Sequence, residues 1–216
     1  MSRPTRRWLL LIALGSGCHS RPPASHSHAI LWAHPDSAPQ LQSYLHAWPA
    51  QTPLPTQCRD SIATIDGDSV GPLRIRQSLP SVLAQCPHPL VGWNWGDEGI
   101  PEPAFMVRFG TAVVLVTLTD TTDAATVYYL ATTDPLIRTS DGVHVGMSVD
   151  SLNARLGPLE FLEGECGLYA ASKRRPHLGI QLTLPADSVD CGSLVPKPPS
   201  LPRGSRVATI FLHRAA

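Results

Sequence analysis

The chain has 216 residues, with 17 basic against 17 acidic side chains, 22 prolines and only 6% aromatic residues. That length suits one compact domain or two small ones, and proline at about twice its usual share places much of the chain in turns, loops or linker. A charged fraction of 16% without a long run of either sign argues against a nucleic-acid partner, and an apolar fraction of 43% argues against wholesale disorder.

Residues 1–17 read as a signal peptide. Arg3, Arg6 and Arg7 precede the apolar run Trp8 to Leu14, which is followed by Gly15-Ser16-Gly17-Cys18. A membrane-spanning helix needs roughly 20 apolar residues, so this run is too short to be an anchor. Small residues immediately before a cysteine resemble the lipobox of bacterial lipoproteins. That resemblance implies cleavage before Cys18, acylation of Cys18 and attachment to the membrane through several acyl chains. His19 follows where an inner-membrane retention signal would have Asp, which by resemblance to enteric lipoproteins places the protein on the periplasmic side of the outer membrane. Cleavage removes three of the 17 basic residues, leaving 14 against 17 acidic and a formal charge near −3. A polybasic membrane surface is therefore not expected.

Residues 18–56 hold seven prolines between Ser, Ala, Gln and His, a composition that reads as a tether. Within it, Leu41, Tyr44, Leu45 and Trp48 fall at helical spacing, so a short amphipathic helix is expected to lie on the domain or on lipid. His19, His26, His28, His34 and His46 lie in the same stretch. His26-Ser-His28 offers two imidazoles to a metal, but no acidic or thiolate partner adjoins them, and solvated histidines are the expectation. No metal or cofactor is expected.

The remainder reads as a duplication, residues 57–135 and 136–216. At an offset of 70, Leu73 to Pro87 aligns with Val143 to Gly157. In each copy two alternating apolar residues are followed by a serine (Ser78, Ser148) suited to cap a helix. Leu79, Val82 and Cys86, and likewise Val149, Leu152 and Leu156, trace one helical face, and Pro87 and Gly157-Pro158 stop the helices. Strand-like segments follow at 90–95, 104–109, 112–118 and 126–131 in the first copy, and at 167–171, 179–184 and 206–212 in the second. The expected fold class is α+β: two tandem strand, helix and three-strand repeats, with short helices on one face of antiparallel sheet.

The segment Gly146-Met147-Ser148 to Leu156-Gly157-Pro158 resembles the helix cap and stop of the BamE/SmpA-like small outer-membrane lipoproteins. Their fold is similar to each half of β-lactamase inhibitory protein, itself a tandem duplication. The resemblance implies a lipoprotein with a role in outer-membrane assembly or in inhibition of an envelope enzyme. Arg76-Gln77 stands in the first copy where that pattern has Gly-Met.

With Cys18 assigned to lipid, Cys58, Cys86, Cys166 and Cys191 remain, an even number in an exported chain. Of three connectivities, Cys58 to Cys86 with Cys166 to Cys191 keeps each disulfide within one repeat and is the expected pairing. No catalytic constellation is expected: Gly146-Met-Ser148-Val-Asp150 lacks the second glycine of a nucleophile elbow. Asp97, Glu98 and Glu102, and Glu160, Glu163 and Glu165, read as solvated loop charge. Trp93 and Trp95, on one side of a strand, and the turn Lys173-Arg174-Arg175 are the candidate partner-binding residues. The expected function is a lipid-anchored, non-catalytic binding module that meets other envelope proteins. The alternatives are an envelope hydrolase using loop carboxylates and a periplasmic metal-binding protein using the linker histidines.

Overall fold

A computed structural model of the chain describes residues 30, 32–47, 55, 57–60, 63–96, 99–164, 167–183 and 204–213. Among the described residues there are three α-helices, α1 (Leu41–Ala47), α2 (Leu79–Gln85) and α3 (Val149–Leu156), and one 3-10 turn at Pro35–Ser37. The other regular elements among the described residues are strands. Four short strands, β1 (Thr64–Asp66), β2 (Ser69–Val70), β3 (Leu73–Arg74) and β8 (Arg138–Thr139), form a small sheet in the order β3-β2-β1-β8. Its β1–β8 pair is parallel.

The large sheet has eight strands and is antiparallel throughout. The first copy supplies β4 (Leu90–Trp95), β5 (Pro101–Phe109), β6 (Ala112–Leu118) and β7 (Val127–Thr132). The second supplies β9 (Leu159–Gly164), β10 (Gly167–Ser172), β11 (Arg175–Thr183) and β12 (Arg206–His213). Their order is β4-β5-β6-β7-β12-β11-β10-β9, so each copy runs inward from one edge and the two meet at β7–β12, with Leu130 opposite Leu212. One continuous sheet therefore joins the halves through an approximate two-fold relation.

The α+β expectation is corrected by this architecture. The protein is mostly β, built on two sheets of eight and four strands, and helices of seven or eight residues are too short to form a layer. Nor do they share one face. Leu79 and Val82 of α2, Cys86 just after it, and Leu152 and Leu156 of α3 join Ile65, Val70 and Leu73 of the small sheet over one face, whose core includes Phe105, Val107, Val114, Val116, Leu168 and Ile210. Leu41 and Leu45 of α1 cover Ala104, Met106, Val113, Leu115 and Ala131 on the other face. β6 (AVVLVTL) is buried at every position because it is covered on both sides, which explains its unbroken apolar sequence.

The repeat is visible in the backbone. Arg76 N–H donates to Val127 O at 2.6 Å and Val127 N–H to Gln77 O at 2.9 Å; Gly146 N–H donates to Val207 O at 2.8 Å and Val207 N–H to Met147 O at 2.9 Å. Arg76 and Gly146 both take left-handed backbone, with φ of 69° and 87°. Glycine adopts that conformation freely, whereas an arginine is strained in it. The two serines differ as well. Ser148 Oγ accepts from Ser151 N–H at 3.3 Å, while Ser78 occupies the cap position without a side-chain cap bond. The alternating segment expected to form a strand at 143–145 is reduced to a single bridge between Arg138 and His144.

Cys58 and Cys86 are disulfide-bonded and tie the segment before β1 to the end of α2. Cys18, Cys166 and Cys191 lie outside the described residues, as does the signal segment. No helix among the described residues is long and apolar enough to cross a membrane.

Candidate binding surfaces

Residues 32–47, within the segment read as tether, wrap around the β4 edge of the large sheet. Trp32 lies against the larger core, with its ring 5.9 Å from that of Trp93. The chain then crosses the edge, where Trp93 N–H donates to Pro39 O at 3.0 Å and Gln40 forms a parallel bridge to Trp93. On the far side, α1 buries Leu41 and Leu45 almost completely. This close passage requires Gly92: a Cβ there would come within 2.5 Å of Pro39 O and 2.8 Å of Leu41 Cγ. At Trp93, an edge that would otherwise attract another strand is thereby occupied by the protein's own strap.

The sequence candidates separate under this geometry. Trp93 is half-buried and held by the strap, its Nε1 donating to Ala33 O at 2.9 Å. Trp95, two residues further along the same side, is half-buried, and its buried Nε1 has no acceptor among the described residues. At the other end of the sheet, Lys173 sits in the β10–β11 turn with its Nζ 3.1 Å from Glu160 Oε1, both side chains well exposed. Arg174 lies beside Gly157 at the end of α3. Arg175 is an internal clamp: its guanidinium donates to Asp141 Oδ2 at 3.0 and 2.6 Å and to Ser140 Oγ at 2.8 Å, with Asp66 Oδ1 3.8 Å away. It joins the sheet to β1 and to the loop before α3. The cluster read as one basic tip is thus divided among three tasks.

The acidic groups do not assemble into a pair among the described residues. Glu102 lies against Gly96, and Glu160 is engaged by Lys173. Asp97, Glu98, Glu165 and the side chain of Glu163 lie outside the described residues. The expectation of loop charge is corrected for Glu102, which belongs to β5, and for Glu160 and Glu163, which belong to the edge strand β9. Ser148 serves its helix: besides accepting from Ser151 N–H, it donates to Ser151 Oγ at 3.0 Å. His34 accepts from Asp36 N–H in a short turn and His46 is exposed on α1, while His19, His26 and His28 lie outside the described residues. Among the described residues no three His, Cys, Asp or Glu side chains converge as metal ligands.

A surface that the sequence reading missed lies on the face carrying α1, where the two copies meet. The Phe211 ring stacks on Tyr129 with centroids 5.5 Å apart, meets Tyr169 edge-on at 6.0 Å, and lies 5.9 Å from His213. It passes directly over Gly179 on the neighbouring strand. Tyr129, Phe211, Tyr169 and His213 are all half-buried. Alternate residues of β12 and their cross-strand partners share a face, so the row follows from strand order. Its sequence trace was the spacing Phe211-x-His213, but only the β7–β12 pairing brings Tyr129 beside them.

No protein-family model matches the chain, and no curated protein sequence matches it. Among solved structures, the crystal structure of the uncharacterized protein yfeY from Escherichia coli is similar over 71% of this chain and 99% of that one, with a TM-score of 0.50 and 18% identity. The likeness is one of fold.

Proposed function

We propose that this chain is a lipid-anchored, non-catalytic binding module of the bacterial cell envelope, attached to the outer membrane through Cys18 and engaging another envelope protein. The observation that carries the binding role is the half-exposed aromatic row Tyr129–Phe211–Tyr169, set on a continuous sheet. Aromatic side chains contribute large contact area at low entropic cost, and a rigid sheet holds them in place for a partner. The Cys58–Cys86 disulfide accords with an oxidising compartment outside the cytosol. A role in outer-membrane assembly, or in restraining an envelope enzyme, is the finer form of this proposal.

The test is crosslinking in intact cells followed by affinity recovery of three full-length forms: unaltered, Cys18→Ser, and Phe211→Ala with Tyr169→Ala. The proposal expects one defined partner with the unaltered chain, loss of membrane retention with Cys18→Ser, and about tenfold lower partner recovery with the aromatic double substitution, in line with the removal of interface anchors. Equal membrane retention of the first two forms would remove the lipid anchor from the proposal. Equal recovery by the third would remove the aromatic row.

A further inference from the structure

The two edges of the large sheet are equivalent in the duplication but end differently. β4 is covered by the strap at Pro39–Gln40, whereas among the described residues no segment pairs with the outer edge of β9. β9 has the sequence Leu-Glu-Phe-Leu-Glu-Gly and contains no proline, which would remove an edge donor. Leu159 and Phe161 pack against the larger core, while Leu162, on the opposite face, is 55% exposed. An open edge with unpaired backbone donors and acceptors is a template for another strand, and its pairing specificity rests with the side chains.

We propose that the occupant of this edge is β9 of a second copy, paired antiparallel about a two-fold axis normal to the sheet. Such an axis keeps each face continuous, so residues opposite one another must share parity within the strand. With the axis at Leu162, that residue meets its own counterpart, Phe161 stands opposite Glu163, and Glu160 stands opposite Gly164. No glutamate then faces a glutamate directly. Moving the axis to Glu160 or Glu163 sets like charges opposite one another, which disfavours those registers. Lys173, 3.1 Å from Glu160, offsets one of the two acidic charges next to the seam. The result is a sixteen-stranded sheet. Because each copy's other edge carries its strap, the arrangement closes as a dimer instead of continuing as a fibre. The operation repeats the one by which β7 and β12 already join the two halves within a chain.

The test is sedimentation equilibrium of the full-length chain carrying Cys18→Ser, in density-matched detergent, alone and with Leu162→Arg. We expect a monomer–dimer equilibrium in the micromolar range, weakened about tenfold or more by Leu162→Arg. Hydrogen exchange of the unaltered sequence, which needs no substitution at the seam, should show protection of β9 amides that rises with protein concentration. A chain that stays monomeric to about 100 µM, well above that range, would overturn the proposal. So would a dimer indifferent to Leu162→Arg. Protection of the outer β9 amides that does not change with concentration would also overturn it, and would assign the edge to the chain's own residues.

Discussion

The two halves of the sheet are built on one plan, a left-handed residue, a two-turn helix preceded by serine and four antiparallel strands, yet they differ in how that plan meets its surroundings. The first half has its edge wrapped by residues 32–47, its helix tied by Cys58–Cys86, and an arginine forced into left-handed backbone. The second has an unwrapped edge among the described residues, a bonded serine cap, and a glycine at the corresponding turn. Duplication supplies the sheet. Segments outside the repeat decide which surfaces of that sheet remain available, and small differences at equivalent positions decide how each half is stabilised.

The sharpest way to break the comparison is to remove the strap. Leu45→Ala should cost about 3 kcal/mol in chemical denaturation, because Leu45 is 1% exposed and fills the smaller core. Leu162→Ala on the unwrapped edge should change stability by less than about 0.5 kcal/mol. Equal costs would mean that α1 does not hold the first half. Replacing Cys58 and Cys86 together by serine should cost up to about 3 kcal/mol, as expected for a cross-link between residues separated by 28 positions. Calorimetry should place the loss in the unfolding of the first half if the halves unfold separately, or in a single lowered transition if the sheet unfolds as one.

A smaller effect has opposite signs in the two copies. Arg76→Gly should stabilise by about 0.5–1 kcal/mol by relieving left-handed strain, and Gly146→Ala should destabilise by about 1 kcal/mol by introducing it. Both can be read from denaturation midpoints, and matching signs would contradict the structural equivalence of the two positions. The smallest effect belongs to the loop between β6 and β7. Asp120 has its carboxyl held below the ordinary value, first by the Thr122 hydroxyl and then by Thr122 N–H, with Thr119 adding a further bond. Because the folded-state value is the lower one, this contribution is present above the ordinary carboxylate range and is lost as pH falls through the lowered value. Titration of Asp120 by NMR should show the depression, and Thr122→Val should return the midpoint towards the ordinary value.

Where local chemistry governs the backbone, the sequence was readable. Apolar spacing after Ser78 and Ser148 located α2 and α3, the strand runs at 90–95 and 112–118 matched β4 and β6, and the breakers Pro87 and Gly157 fell at the helix ends. The fold class is not legible in the sequence because two short capped segments suggest a helical layer, while β1, β2, β8 and β9 carry no clear strand pattern. β9 was hidden by Glu160 and Glu163, which suggest a loop until the segment is known to sit at an edge where charge is tolerated. The strap was hidden by its prolines, although Leu41 and Leu45 at helical spacing had marked its apolar face. The aromatic row lay beyond sequence reading, since Tyr129 and Phe211 become neighbours only when β7 meets β12.

If the chain is anchored as proposed, the docking of the strap also limits how far the sheet can stand from a bilayer. Under the proposed attachment at Cys18, twelve residues lead to Ile30, which packs against the larger core. Fully stretched, such a span covers at most about 40 Å, well short of what the whole proline-rich stretch to residue 56 would allow. The leash reaches the sheet beside β4, and β9 lies seven strand spacings away, up to about 34 Å further. Under that attachment the leash joins the sheet at its β4 side, and β9, which no described segment covers, lies at the far end of the sheet.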